Sequence, residues 1–84
     1  MIEQELTRRE HDIDNIVNKV EAKAITKVEG IQKLCHIRRG LKAYVKNFSF
    51  PKDQPYYKKM LLKQVKRTTN RILYCCKSWE TNNE

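Results

Sequence analysis

Apolar residues recur at helical spacing in two runs along this chain, Ile2 to Phe48 and Tyr57 to Trp79, with one break between them. On a heptad grid starting at Leu6, one position reads Leu6, Ile13, Val20, Lys27, Leu34, Leu41 and Phe48, six of seven apolar. Positions three or four residues further on supply Ile16, Val17, Ala24, Ile31, Ile37, Tyr44 and Val45. The stripe drifts between the two sets, as a helix of period near 3.6 residues does against a seven-residue repeat. Lys27 and Gly30 weaken it in the middle and Gly40 is a second soft spot, each glycine costing about 1 kcal/mol of helix propensity relative to alanine. Neither glycine has a proline or a polar cluster beside it, so the pattern predicts one long helix over about 2–48. The rival reading breaks that helix near Gly30 and gives a three-helix bundle.

The punctuation lies in Phe48-Ser49-Phe50-Pro51-Lys52-Asp53-Gln54-Pro55. Residues before proline are driven out of the α region, which makes Phe50 and Gln54 extended. Asp53 is the expected N-cap, with Pro55 in the first turn where a missing N–H costs nothing. A second, shorter helix over about 54–79 then carries Tyr57, Leu61, Val65, Thr68, Ile72, Cys75 or Cys76, and Trp79 on one stripe. The predicted fold is all-α: an antiparallel helical hairpin of one long and one short helix. Residues face each other where their numbers sum to about 106, which pairs Phe48 with Tyr57, Val45 with Leu61, Leu41 with Val65, Leu34 with Ile72 and Val28 with Trp79.

Such a hairpin leaves residues 2 to about 24 overhanging by roughly 33 Å, at 1.5 Å per residue. Leu6, Ile13, Ile16, Val17 and Val20 lie on that overhang, and a lone amphipathic helix of this length is marginal in water. They are therefore the expected apolar partner-binding residues, and the hairpin is expected to assemble into a dimeric or hetero-oligomeric bundle. The domain plan is an acidic overhang (1–24), a basic hairpin (25–79) and a frayed tail (80–84).

Charge sharpens this picture. The chain of 84 residues carries a net charge of +8, but residues 1–22 hold six carboxylates against three cations, a net of −3. Residues 23–84 hold fifteen Lys or Arg against Glu29, Asp53, Glu80 and Glu84, a net of +11. Within the second helix Lys59, Lys63, Arg67 and Arg71 recur every four residues, with Lys58 and Lys66 beside them. Like charges at that spacing oppose helix formation by roughly 0.2–0.5 kcal/mol per pair. Lys59, Lys63, Lys66, Arg67 and Arg71 are thus a candidate basic face for a negative partner. A protein partner, a second copy or a helical subunit, comes first. Nucleic-acid phosphate comes second, because no base-reading motif accompanies the charge. An anionic membrane surface comes last.

The sequence offers no catalytic, metal or cofactor site. Cys75 and Cys76 point about 100° apart on a helix, unlike the two-to-four-residue gaps of zinc sites. Cys35 falls opposite residue 71, about one turn from Cys75, so an intrachain bridge needs a register shift. They read as small hydrophobes, one buried and one half-exposed. Cys35 and His36 diverge on a helix and form no dyad, and no glycine-rich phosphate loop exists. The expectation is a non-enzymatic protein. Three cysteines make no disulfide framework, and the acidic N-terminus has no secretory pattern, so an intracellular location, cytoplasmic or nuclear, is expected.

Overall fold

The computed structural model describes residues 2–81, with the side chains of Ile2 and Thr81 left aside. Three helices follow in order: α1 (Ile2–Glu21), α2 (Lys27–Asn47) and α3 (Pro55–Thr81). They form an up-down-up bundle, about 50 × 20 × 16 Å, elongated rather than spherical. The all-helical expectation holds, whereas the single long helix does not. Residues 22–26 break it, neither at Gly30 nor anywhere marked by glycine or proline, and α1 folds back along α2 instead of overhanging.

The break has a definite local cause. Lys23 adopts φ 60°, the one positive φ among the described residues. Its N–H donates to the Val20 carbonyl at 3.0 Å, and the Ala24 N–H donates to that of Lys19 at 2.8 Å. Those two bonds are a Schellman closure, normally built on glycine because a side chain at positive φ is strained. Thr26 then caps α2: it is extended (φ −76°, ψ 161°) and its side chain accepts from the Glu29 N–H at 3.1 Å. Acidic Glu3 and Glu5 in the first turn of α1, and Lys19 in its last, suit the helix dipole.

The second junction is where the pattern put it. Phe48 closes α2, its N–H donating to the Val45 carbonyl at 3.2 Å. Its ring stacks on Tyr44 at 6.0 Å and meets Phe50 edge-on at 4.9 Å. The Lys58 ammonium lies 5.6 Å from the Phe50 ring centre, so the loop is pinned to the first turn of α3. Helix α3 starts at Pro55, which leaves Gln54 rather than Asp53 in the position before it. It continues through Thr81, past the expected end at 79; of the expected frayed tail, 82–84 lie outside the described residues.

Two apolar clusters hold the bundle. Ile13, Leu34, Ile37, Ile72 and Cys76 are buried together, flanked by Ile16, Val17, Ile31 and Trp79. Leu6, Leu41 and Leu61 form the other, flanked by Tyr44, Val45, Phe48, Phe50, Tyr57 and Val65. The expected seam between the second and third helices is recognisable: Phe48, Tyr57, Val45 and Leu61 share one cluster, and Leu34 and Ile72 the other. Val28 departs from it, 64% exposed, and Trp79 lies against Gly30 instead.

Candidate functional site

Each apolar residue expected to meet a partner has a place inside this chain. Leu6, Ile13 and Val20 are buried and Ile16 and Val17 half-buried, all on the face of α1 turned to α2 and α3. The two glycines explain how α1 comes so close. A Cβ on Gly30 would stand 2.6 Å from a Val20 methyl and 2.9 Å from the Trp79 ring. One on Gly40 would stand 2.8 Å from the Arg9 guanidinium, which lies over that glycine. Arg9 is held there by Glu5 at 2.9 Å and donates to the Ile37 carbonyl at 3.3 Å. What the stripe alone shows as soft spots are therefore docking points for α1.

The charged halves also meet, along one edge. Helix α1 runs parallel to α3, with the Tyr57 hydroxyl donating to Glu3, Thr68 donating to Glu10 at 3.2 Å and Arg71 paired to Asp14 at 2.5 Å. Arg71 thus leaves the expected free basic face and joins the intramolecular contact. The Glu5 carboxyl is held below the usual 4.5, first by its hydrogen bond from Arg8 and then by the charges of Arg8 and Arg9.

What remains uncovered is the outer face of α3. Lys59, Lys63, Lys66 and Arg67 are exposed there, and none pairs with a carboxylate among the described residues. Six large apolar or aromatic residues stand exposed among the described residues, and five of them are on α3: Tyr56 (75%), Met60, Leu62 (39%), Leu73 (44%) and Tyr74 (76%). Leu62 and Leu73 are eleven residues apart, three helical turns, so they share a flank with Lys66 between them. Tyr56, Met60, Lys63, Arg67 and Tyr74 share the opposite flank on the same reckoning. Helical spacing could have shown this second stripe, but the basic residues interrupt it and the buried stripe of the same helix is stronger.

The cysteines meet in the core rather than at a site. Cys76 is buried and Cys35 and Cys75 are half-buried, all three in one cluster. Cys35 lies beside Cys76, whereas the sequence register put it opposite residue 71. Burial, and then the neighbouring Cys35, push the Cys76 thiol up to about 11 from 9.0, so it is a poor nucleophile at neutral pH. No group of three or more His, Cys, Asp or Glu among the described residues is placed to hold a metal ion. No described helix is long and apolar enough to cross a membrane. Comparison of the chain with protein-family models, curated proteins and solved structures finds no match.

Proposed function

We propose that this chain is a non-enzymatic helical interaction module whose α3 outer face holds an acidic, amphipathic helix of a partner protein. One observation carries the reading: exposed Leu62 and Leu73 stand beside Lys59, Lys63, Lys66 and Arg67, none of which pairs with a carboxylate among the described residues. Cations alone would suit any polyanion. Aliphatic side chains placed three turns apart gain only from a partner that brings its own apolar stripe. The chain contains an example of such a ligand, for α1 is an acidic amphipathic helix that already lies along the neighbouring edge of α3. Removing Leu62 and Leu73 from water would supply most of the affinity, and Lys59, Lys63, Lys66 and Arg67 would set orientation and speed of encounter.

A second reading rests on Tyr56 and Tyr74, two exposed rings five turns apart among cations, which could stack on bases of a single-stranded nucleic acid. A designed Leu/Glu amphipathic helix and a mixed-sequence single-stranded oligonucleotide, each fluorescently labelled, separate the two by anisotropy. The expected result is that Leu62→Asp with Leu73→Asp weakens peptide binding at least about tenfold, while Tyr56→Ala with Tyr74→Ala leaves it nearly unchanged. Tighter oligonucleotide binding that the leucine changes spare and the tyrosine changes abolish would overturn the protein reading in favour of the second.

A further inference from the structure

We infer that the partner of α1 is interchangeable between copies: the chain forms a domain-swapped dimer in which residues 22–26 straighten and α1 and α2 run on as one helix. The α1 of each copy then docks on the α2–α3 hairpin of the other. This goes beyond the α3 face discussed above and uses none of its exposed residues.

The hinge is the first ground. Ala22-Lys23-Ala24-Ile25-Thr26 contains no glycine or proline, and Ala, Lys and Ala are among the stronger helix formers. The turn nevertheless forces Lys23 to φ 60°, where a side chain is strained. Straightening the segment relieves that strain and exchanges the Schellman and cap hydrogen bonds for ordinary helical ones. A short hinge whose sequence favours another conformation is the recurring cause of swapping.

Geometry is the second ground. Helix α1 runs antiparallel to α2, as Arg9 on Gly40 and Val20 on Gly30 show, and parallel to α3, as Glu3 with Tyr57 and Asp14 with Arg71 show. Two extended chains crossing antiparallel at their hinges preserve both senses. Every contact α1 makes is then recovered between copies: Leu6 with Leu41 and Leu61, Ile13 with Leu34 and Ile72, Arg9 with the Ile37 carbonyl. The crossing also brings the two hinge regions together, next to Val28, which is 64% exposed in the closed chain. The apolar stripe from Leu6 to Phe48 is continuous in such a dimer, as the heptad grid requires.

The experiment uses the full chain, unfolded in denaturant and refolded at concentrations up to about 1 mM, the range in which a second copy competes with a short intramolecular link. Light scattering should find a species of twice 10.1 kDa growing with concentration. Lys23→Gly fits the turn better and the continuous helix worse, so it should raise the dimer dissociation constant at least about tenfold. Thr26→Ala removes the cap that only the closed form uses, and should lower that constant by about tenfold.

Swapping itself is read from an Arg71→Lys variant, which keeps the charge beside Asp14. Carbodiimide coupling of a mixed 14N and 15N population should join Asp14 of one chain to position 71 of the other. Three results would overturn the inference: parent and Thr26→Ala both monomeric throughout, a dimer whose Asp14 link stays within one chain, or a Lys23→Gly protein that dimerises as readily as the parent.

Discussion

The two junctions of this bundle end a helix by opposite means. Between α2 and α3 the chain is stopped by what it cannot do: Pro51 and Pro55 drive the residues before them, Phe50 and Gln54, out of the helical region, and Phe48, Phe50 and Lys58 fix the loop on the surface of the hairpin. Between α1 and α2 nothing forbids the helix. It stops because the closed form buries Leu6, Ile13 and Val20, and Thr26 offers a cap at the right place. The first kind of turn is local and would persist in a fragment. The second depends on tertiary packing, and weakening that packing should undo it.

The largest test of this difference is Gly30. In Gly30→Val the new side chain meets the Val20 methyl and the Trp79 ring, neither of which is the loose end of a flexible chain. We expect a loss of about 3 kcal/mol in denaturant unfolding, with α1 released first, because overpacking a close helix contact forces the backbone apart. Gly40→Ala is the control. Its Cβ meets only the tip of Arg9, which can swing away, and alanine restores helix propensity, so stability should stay within about 1 kcal/mol of the parent. Equal damage from the two would mean that α1 is not held at Gly30.

Next in size is the loop that the sequence marks openly. Phe50→Ala removes the edge-on contact with Phe48 and the face beneath Lys58, at a cost of about 2 kcal/mol. Because the prolines remain, helix content by circular dichroism should not change. A gain in helicity there would show that the aromatic cluster, rather than proline, keeps α2 from running on.

The first junction responds to smaller changes, of both signs. Thr26→Ala should cost the closed monomer about 1 kcal/mol, and Lys23→Gly should return a similar amount, both measured by thermal melting at low protein concentration. The same Thr26 shows how much could have been read beforehand. Thr26-Lys27-Val28-Glu29 has the Ser/Thr-x-x-Glu spacing of a capping box, ahead of the apolar run Ile31, Leu34, Ile37 and Leu41. That spacing marks the start of α2, while the heptad stripe runs across it without a break in its apolar positions on either side. Lys23 carried no signal at all, since lysine at positive φ is a consequence of where the helices must go.

The core itself was legible. The stripe residues of the three helices are buried or half-buried, and the seam of α2 with α3 groups Val45 with Leu61 and Leu34 with Ile72 as spacing implies. What periodicity cannot supply is direction: a stripe says which face is buried and not whether α1 continues away or returns. The glycines held part of that answer, because Gly30 and Gly40 both sit on the side of α2 that α1 covers. The exposed stripe of α3 was hidden for a different reason. A helix with a dry face and a second apolar flank reads from sequence as one broad, noisy face.

The smallest effect separates the junctions by pH. Glu5 holds Arg9 over Gly40, and its carboxyl titrates below 4.5 because Arg8 and Arg9 favour the ionised form. A depressed carboxylate adds stability that is present above the unfolded value and is lost as pH falls through the folded one. Glu5→Gln should therefore be less stable than the parent near neutral pH, by less than about 1 kcal/mol because Arg8, whose hydrogen bond lowers the carboxyl most, is largely exposed, and the difference should close as the solution is taken below 4.5. At the α2–α3 junction the matching interaction is Lys58 over Phe50, a cation on a ring with no carboxylate in the contact. Backbone exchange followed across the same range should thus loosen α1 against Gly40 while the 48–54 loop keeps its protection. If both junctions loosened together, α1 would be contributing to the fold of the hairpin as a whole, and the account of it as a separately held, transferable helix would fail.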